Sequence, residues 1–206
     1  YTISGVTHKS DSQDIGLFGS IDNTAVLKNF RLVDSTFEYY SEEANEKEAK
    51  IWLGSVCADM RGDLENIYSN ALVISNGCRV GGIAGMPNGS KGSDGNLTTS
   101  TIKNCWFDGE VRLHGEYARY AGGIAGISMQ GTIEYIHCLN TGKVSNERTT
   151  AGQFIGGIVG SDQNGNQNIL IEDCINIGEI SASDAIWNCV GAIIGGTSNN
   201  SGTYNM

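Results

Sequence analysis

A short glycine-rich stretch recurs along this chain, and it constrains the fold more than any other feature of the sequence. Residues 80–85 read Val-Gly-Gly-Ile-Ala-Gly, and close copies lie at 121–126, 155–160 and 190–195. Looser copies occupy residues 15–19 and 53–57. A motif repeated at intervals of tens of residues predicts a repeat architecture in which every copy has the same structural role.

A second pattern follows the glycine-rich copies and sets the length of the repeat. It is a four-residue segment ending at residues 30, 67, 105, 138 and 174, so the intervals are 37, 38, 33 and 36 residues. Short β-branched segments, one proline and no sustained helical periodicity favour β-strands. We predict an all-β fold, a parallel β-helix (β-solenoid) of five to six coils of about 36 residues. A β-propeller or sandwich is the structural alternative.

The prediction covers residues 1–206 as a single repeat domain, and a right-handed coil is expected from the usual chirality of parallel crossovers. The chain opens on Tyr-Thr-Ile-Ser-Gly-Val, which has the pattern of a strand and turn rather than a start. We therefore expect the domain to be a fragment of a longer polypeptide. The charged segment 38–50 is expected to form a short helix, and residues 87–99 are expected to form a loop. Thr197–Met206 is too short to complete another coil.

A parallel coil stacks equivalent residues, so the repeat also predicts columns of side chains. In one expected column Asp34 stacks on Ala71, and in another Thr36 stacks on Val73. An outward column of alternating charge would contain Glu110, Lys143 and Glu179. Stacked amides at a corner would hydrogen-bond along the axis. The predicted amide column is Asn29, Asn66 and Asn104, and the main inward column is Phe30, Ile67, Cys105, Cys138 and Cys174.

Composition excludes two classes of partner. The chain has 13 Lys and Arg against 23 Asp and Glu, a net charge of −10, which argues against nucleic acid and anionic membranes. No apolar run reaches the roughly 18 to 20 residues that a membrane-spanning helix needs, so we expect no membrane insertion.

The repeated strings resemble the GLUG-motif repeats of bacterial secreted and surface proteins. The resemblance lies in VGGIAG, YAGGIAGI and FIGGIVGS, followed by NCWFDGEV, HCLNTGKV and DCINIGEI. It covers nearly the whole chain, although Ser55 and Cys57 depart from the pattern in the second copy. Such repeats occur in adhesin-like proteins and in non-catalytic parts of immunoglobulin A-cleaving metallopeptidases. The resemblance implies a β-helical fold and an extracellular or cell-surface setting, without implying one ligand.

Several motifs have a chemical interpretation beside a simpler structural one. The glycine motif is near a dinucleotide fingerprint, but no helix is expected after it, so close backbone packing is the favoured interpretation. Cys105, Cys138 and Cys174 are one coil apart, which suits buried thiols better than metal ligands, and at least four of the six cysteines should be free. Residues 162–166 alternate oxygen-bearing side chains as calcium loops do, or simply form a hairpin. We predict no metal and no cofactor.

One outward column is the best candidate for binding. It contains Arg31, Tyr68, Trp106, Leu139 and Ile175, here called the stripe, and Tyr68 and Trp106 are its predicted contact residues. Exposed aromatics on a regular face can grip sugars or peptides, so a host glycan or protein is the expected partner. The simpler expectation, which we favour, is that a loop or insert covers the stripe.

The sequence lacks HExxH, GxSxG and P-loop motifs, and no catalytic residue is predicted. We therefore predict a non-enzymatic, adhesin-like binding or spacer module. The alternatives are a carbohydrate-active enzyme on a parallel β-helix, or an accessory domain of a secreted protease. Asp108 and Glu110 are the outward carboxylates considered for the enzyme, and convergence of carboxylates on one face would favour it.

Overall fold

The chain forms a parallel β-helix. The computed structural model describes residues 1–11, 13–42, 51–89, 95–116, 118–147, 152–162, 167–183, 188–197 and 204–205. Its strands build four parallel sheets along the coil axis, which confirms the predicted fold class. Within these ranges no helix is present, and so none that is long and apolar enough to cross a membrane. The handedness of the coil stays a prediction.

Sheets A and B form the first half of each coil. Sheet A contains β1 (Thr2–Ser4), β5 (Val26–Val33), β9 (Asp63–Ser69), β13 (Thr99–Lys103), β14 (Trp106–Phe107), β18 (Gly131–Ile136), β19 (Leu139–Asn140), β23 (Gln167–Glu172), β24 (Ile175–Asn176) and β28 (Tyr204–Asn205). Sheet B contains β2 (Thr7–Ser10), β6 (Thr36–Tyr39), β10 (Leu72–Ser75), β15 (Glu110–Leu113), β20 (Lys143–Asn146) and β25 (Ile180–Ala182).

Sheets C and D complete the coil, one strand before and one after each glycine-rich bend. Sheet C contains β3 (Asp14–Ile15), β7 (Trp52–Gly54), β11 (Arg79–Gly81), β16 (Tyr120–Gly122), β21 (Gln153–Gly156) and β26 (Asn188–Gly191). Sheet D contains β4 (Phe18–Ile21), β8 (Cys57–Met60), β12 (Ala84–Pro87), β17 (Ala125–Ser128), β22 (Val159–Asp162) and β27 (Ile194–Thr197).

The core lies inside the coil and consists of stacked columns. Val73 pairs with Val111, which pairs with Val144, and all three side chains are fully buried. Each buried aliphatic side chain of this size stabilises the fold by roughly 1.5–3 kcal/mol. The outward neighbours alternate in charge as predicted: Glu110 is in register with Lys143, whose Nζ lies 3.3 Å from Oε1 of Glu179.

Two predicted columns are wrong in the first coil, because that coil contains one extra residue. Leu32 pairs with Ser69, but Thr36 pairs with Leu72, so three residues of the first coil face two of the second. The extra residue is Asp34, whose φ of 51° lies in the left-handed region typical of a bulge. Phe37 therefore stacks on Val73 where Thr36 was expected. Ser35 takes the place predicted for Asp34, and its carbonyl accepts from the Leu72 amide.

The glycine motif is a site of close backbone packing. A Cβ on Gly122 would lie 2.0 Å from the carbonyl oxygen of Ala125, within the same bend. A Cβ on Gly123 would meet the side-chain amide of Asn140 at 2.4 Å, and one on Gly126 would lie 2.6 Å from the backbone nitrogen of Val80. Because none of these three has a positive φ, glycine is needed here for its size.

The inserts differ in part from expectation. Glu38 belongs to strand β6, so the predicted helix cannot start there, and residues 43–50 lie outside the described residues. Of the candidate calcium loop, only Asp162 is described; it ends strand β22 and is 2% exposed. At the C-terminus, residues 204–205 add the short strand β28 to sheet A beside β23, which does not complete a further coil.

Candidate binding site

The stripe runs along the outer face of sheet A with one residue from each coil. Arg31 of β5 pairs with Tyr68 of β9, Tyr68 with Trp106 of β14, Trp106 with Leu139, and Leu139 with Ile175. Strand alternation sends these side chains outward because their chain neighbours, such as Cys105 and Phe107, are buried. The register predicted for the stripe is confirmed.

The two predicted contact residues form an aromatic pair. The ring centroids of Tyr68 and Trp106 lie 4.9 Å apart with an interplanar angle of 78°, an edge-to-face arrangement. On the other side of Tyr68, the guanidinium carbon of Arg31 lies 4.7 Å from the ring centroid, within range of a cation–π interaction. Three consecutive coils thus place a cation and two rings in one line.

Hydrogen bonds hold both rings by their polar atoms. The Tyr68 hydroxyl donates to Oδ2 of Asp108 at 3.2 Å, and Nε1 of Trp106 donates to Oγ1 of Thr141 at 2.7 Å. Thr141 in turn donates to Oδ1 of Asp108. Partial burial and the Asp108 carboxylate raise the pKa of Tyr68, while Arg31 opposes the shift. The tyrosine hydroxyl is therefore a fixed neutral donor, and the rings are oriented before any ligand arrives.

Beside the stripe lies a second column, here called the corner ladder, which contains Asn29, Asn66 and Asn104. Each has a positive φ, between 52° and 63°, which asparagine tolerates better than most residues. Nδ2 of Asn66 donates to Oδ1 of Asn29 at 2.9 Å, and Nδ2 of Asn104 to Oδ1 of Asn66 at 3.0 Å. The predicted amide column is confirmed.

The corner ladder and the stripe enclose an open groove of about 390 Å³. The groove is lined by the three amides of the corner ladder, by Arg31, Tyr68 and Trp106 of the stripe, and by Tyr1, Thr2, Phe30 and Ile67. Trp106 is 40% exposed and Ile175 is 56% exposed, so the favoured expectation of a covered stripe is wrong for these residues. Tyr68 is half-buried, largely by its neighbours in the stripe.

The cysteine column lies just beneath this surface. Cys105 and Cys138 are buried and Cys174 is half-buried, and none of the six cysteines, all of them described, forms a disulfide. Burial raises the pKa of Cys105 to about 12, which is typical of an inert thiol. The Cys138 amide donates to Sγ of Cys174 at 3.4 Å, and interaction with Cys138 lowers the pKa of Cys174. These thiols act mainly as small packing groups.

The outward carboxylates considered for catalysis do not converge. Asp108 accepts from Tyr68 and Thr141, whereas Glu110 pairs with Arg112, its Oε1 lying 2.8 Å from Nη2. Each carboxylate is thus engaged with different groups on its own part of the surface.

One cluster of possible metal-ligating side chains was not predicted from the sequence. His137, Glu172 and Asp173 bring a possible ligand atom each within 4.8 Å of one another, and all three are exposed. His137 and Asp173 continue the corner ladder, with φ values of 52° and 49° and a 3.3 Å contact between Nε2 and Oδ2. Their positions directly before Cys138 and Cys174, like Asn104 before Cys105, could have shown this. The ladder itself explains their proximity.

Comparison with known proteins supports the fold. No family model and no curated protein matches the sequence, so membership of the GLUG-motif family stays a prediction. A solved structure described as a "putative immunoglobulin A1 protease" from Bacteroides ovatus superposes with a TM-score of 0.73 at 22% identity. The match covers 99% of this chain and 56% of that protein, so this chain spans just over half of its length. The chain is therefore similar to this protein in its repeat β-helix fold.

Proposed function

We propose that this chain is a non-enzymatic binding module that recognises its partner through the groove between the corner ladder and the stripe. The observation that carries the proposal is the Tyr68–Trp106 pair on a regular sheet face, in which Trp106 is exposed and the polar atoms of both rings are hydrogen-bonded to Asp108 and Thr141. Rings held in this way offer apolar faces without losing further side-chain freedom on binding. A pure spacer has no need for such an arrangement.

The setting we propose is a larger secreted or surface-anchored bacterial protein, in which this β-helix has an accessory, adhesin-like role. The resemblance to GLUG-motif repeats supports that setting. So does the fold shared with a protein described as a "putative immunoglobulin A1 protease", of which this chain spans just over half. The expected partner is a glycan or protein of the host, and the catalytic work of any such protein belongs to its other regions.

A binding panel tests the proposal. The chain is immobilised and exposed to host glycans and extracellular proteins, beside the Trp106→Ala and Phe18→Ala variants. Phe18 is the matched control, because it is also 40% exposed but belongs to sheet D. We expect Trp106→Ala to weaken binding at least tenfold, as loss of a central aromatic contact does, and Phe18→Ala to leave it unchanged. Binding that is indifferent to Trp106, or absent throughout, would refute the proposal.

The carbohydrate-active enzyme remains the second candidate because of one observation, the convergence of His137, Glu172 and Asp173. A carboxylate beside a histidine could in principle move a proton. The cluster lies on an exposed corner, outside the groove, which favours the ladder role. Release of reducing ends or unsaturated products from polysaccharides by the chain, lost in Glu172→Gln, would favour the enzyme over the binding module.

A further inference from the structure

We propose that the groove selects an acidic oligosaccharide, whose carboxylate is bound by Arg31 while its sugar rings lie along Tyr68 and Trp106. This inference rests on the proposed binding function and adds to it the chemical class of the ligand. Three features of the molecule support it: the hydrogen-bonding capacity of the corner ladder, the charge of Arg31, and the strand pairing of the sheet beneath.

The corner ladder retains unused hydrogen-bonding capacity. A side-chain amide has two N–H donors and two acceptor lone pairs. Asn66 uses one donor toward Asn29 and one lone pair toward Asn104, and all three amides are exposed. A second donor and a second lone pair on Asn66 are thus left for a ligand. Hydroxyl groups, which donate and accept, are the natural partners of such a ladder.

The opposite wall suits the apolar face of a sugar ring. Trp106 donates its Nε1 proton to Thr141, so the orientation of the indole is fixed. A large part of the ring is also exposed to solvent. A pyranose has C–H groups on its faces and hydroxyls around its rim. Such a ring can stack on the aromatic wall while its hydroxyls reach the amides across the groove.

Charge favours an anionic ligand here although the chain as a whole is acidic. Among the described residues that line the groove, Arg31 has the one charged side chain, and it is a cation. The whole chain has a net charge of −10. The groove therefore offers an anion an attractive charge on a chain that is otherwise acidic.

Arg31 is the cation best placed to select a carboxylate. Its guanidinium stacks on Tyr68, and across the described ranges no carboxylate forms an ion pair with it. A planar guanidinium binds a carboxylate through two parallel hydrogen bonds, a geometry that lysine lacks. The Asp108 carboxylate is engaged by Tyr68 and Thr141 instead.

The sheet beneath the groove disfavours an extended peptide. Peptides that bind sheets usually add a strand to a free edge and are held by main-chain hydrogen bonds. Strand β9 already pairs with β5 on one side and with β13 and β14 on the other, so it offers no free sheet edge. Recognition in the groove must come from side chains, which suits a saccharide.

The test uses matched pairs of ligands. Oligogalacturonate, a hyaluronan fragment and oligosialic acid are each titrated beside their methyl esters, which keep the sugar chain but lose the charge. The variants are Trp106→Ala, Arg31→Gln and the control Arg112→Gln, which makes the same charge change on sheet B. We expect at least one acid to bind, its ester and Arg31→Gln each to lower affinity at least tenfold, and Arg112→Gln to change nothing.

The outcomes separate this inference from the proposed function. Equal binding of acid and ester, with loss only in Trp106→Ala, overturns the acidic ligand and keeps the binding module. Binding of an extended peptide but of no saccharide, again dependent on Trp106, likewise overturns this inference alone. Absence of any Trp106-dependent ligand among glycans and proteins overturns both. Thermal unfolding of each variant is measured in parallel, so that a misfolded variant is recognised and replaced by Arg31→Lys or Trp106→Phe.

Discussion

The glycine-rich bends and the corner of sheet A are built by the same repeat, yet they use it in opposite ways. At the bends, between sheets C and D, identical small residues stack because any larger side chain would collide with backbone. At the corner, stacked asparagines and aromatics are exposed and keep part of their bonding capacity. The comparison teaches that repetition alone does not mark a functional residue. What marks it is repetition of side chains that the coil does not need for its own packing.

The largest effect is expected at the bends. Gly122→Ala would place a methyl group 2.0 Å from the Ala125 carbonyl oxygen and 2.8 Å from the Gly160 nitrogen, both of them backbone atoms. We expect a loss of more than about 4 kcal/mol in the free energy of unfolding, or failure to fold. Gly19→Ala is the control, since its new methyl group would meet nothing closer than 3.6 Å. Urea denaturation measures both, and a Gly122→Ala variant as stable as Gly19→Ala would contradict the packing role.

The next effect concerns pH and the buried thiol beneath the groove. Burial raises the pKa of Cys105 from 9.0 to about 12, so the folded state holds a proton that the unfolded state releases. Stability from this thiol is therefore complete below pH 9.0 and is lost as the pH rises toward 12. Each pH unit in that window costs about 1.4 kcal/mol per thiol.

Denaturation midpoints measured across that window test the thiol. In Cys105→Val the free energy of unfolding should fall less steeply with pH. Cys189→Val, a change at an exposed thiol, should leave the pH dependence as in the parent chain. An unchanged slope in Cys105→Val would show that the thiol is not buried as described.

A moderate effect is expected at the corner ladder. Asn66→Ala removes two side-chain hydrogen bonds and leaves an alanine at a φ of 55°. We therefore expect the free energy of unfolding to fall by roughly 2–3 kcal/mol. Asn66→Gly removes the same bonds but tolerates the backbone angle, so it should cost less. Thermal unfolding separates the two contributions. Equal losses in both variants would mean that the left-handed conformation imposes no strain.

The smallest effect is expected in the charged column of sheet B. Lys143→Glu places three acidic side chains in successive coils, beside Glu110 and Glu179. These groups are partly exposed, so the cost should be about 1 kcal/mol or less and should shrink as salt is added. Lys143→Gln should cost still less. A salt-independent loss would indicate that packing, rather than charge, dominates at this position.

Much of the fold could be predicted because most coils align without insertion between sheets A and B. The columns through Cys105, Val111 and Trp106 follow directly from that regularity. The first coil broke the alignment because a bulge residue such as Asp34 looks like any polar turn residue until its backbone angle is known. The glycine motif did indicate close backbone packing, but the atoms that each glycine approaches depend on the geometry of the bend between sheets C and D.

Only part of the candidate site could be predicted from the sequence. The repeat period predicted that Arg31, Tyr68 and Trp106 lie on one face. It did not predict the edge-to-face geometry of the rings or their exposure. The roles of Asp108 and Thr141 could not be predicted, because they depend on how far two side chains reach between coils. Whether an outward column is covered depends on the path of variable inserts, which obey no repeat.

Side-chain oxidation footprinting of the ligand-bound chain tests the central claim most directly. Hydroxyl radicals label exposed aromatic side chains, and mass spectrometry then reports the extent of labelling at each residue. We predict that a bound ligand protects Tyr68 and Trp106 while the labelling of Phe18, on sheet D, stays unchanged. Unaltered labelling of Trp106 in a saturated complex, or protection confined to sheet D, would contradict it.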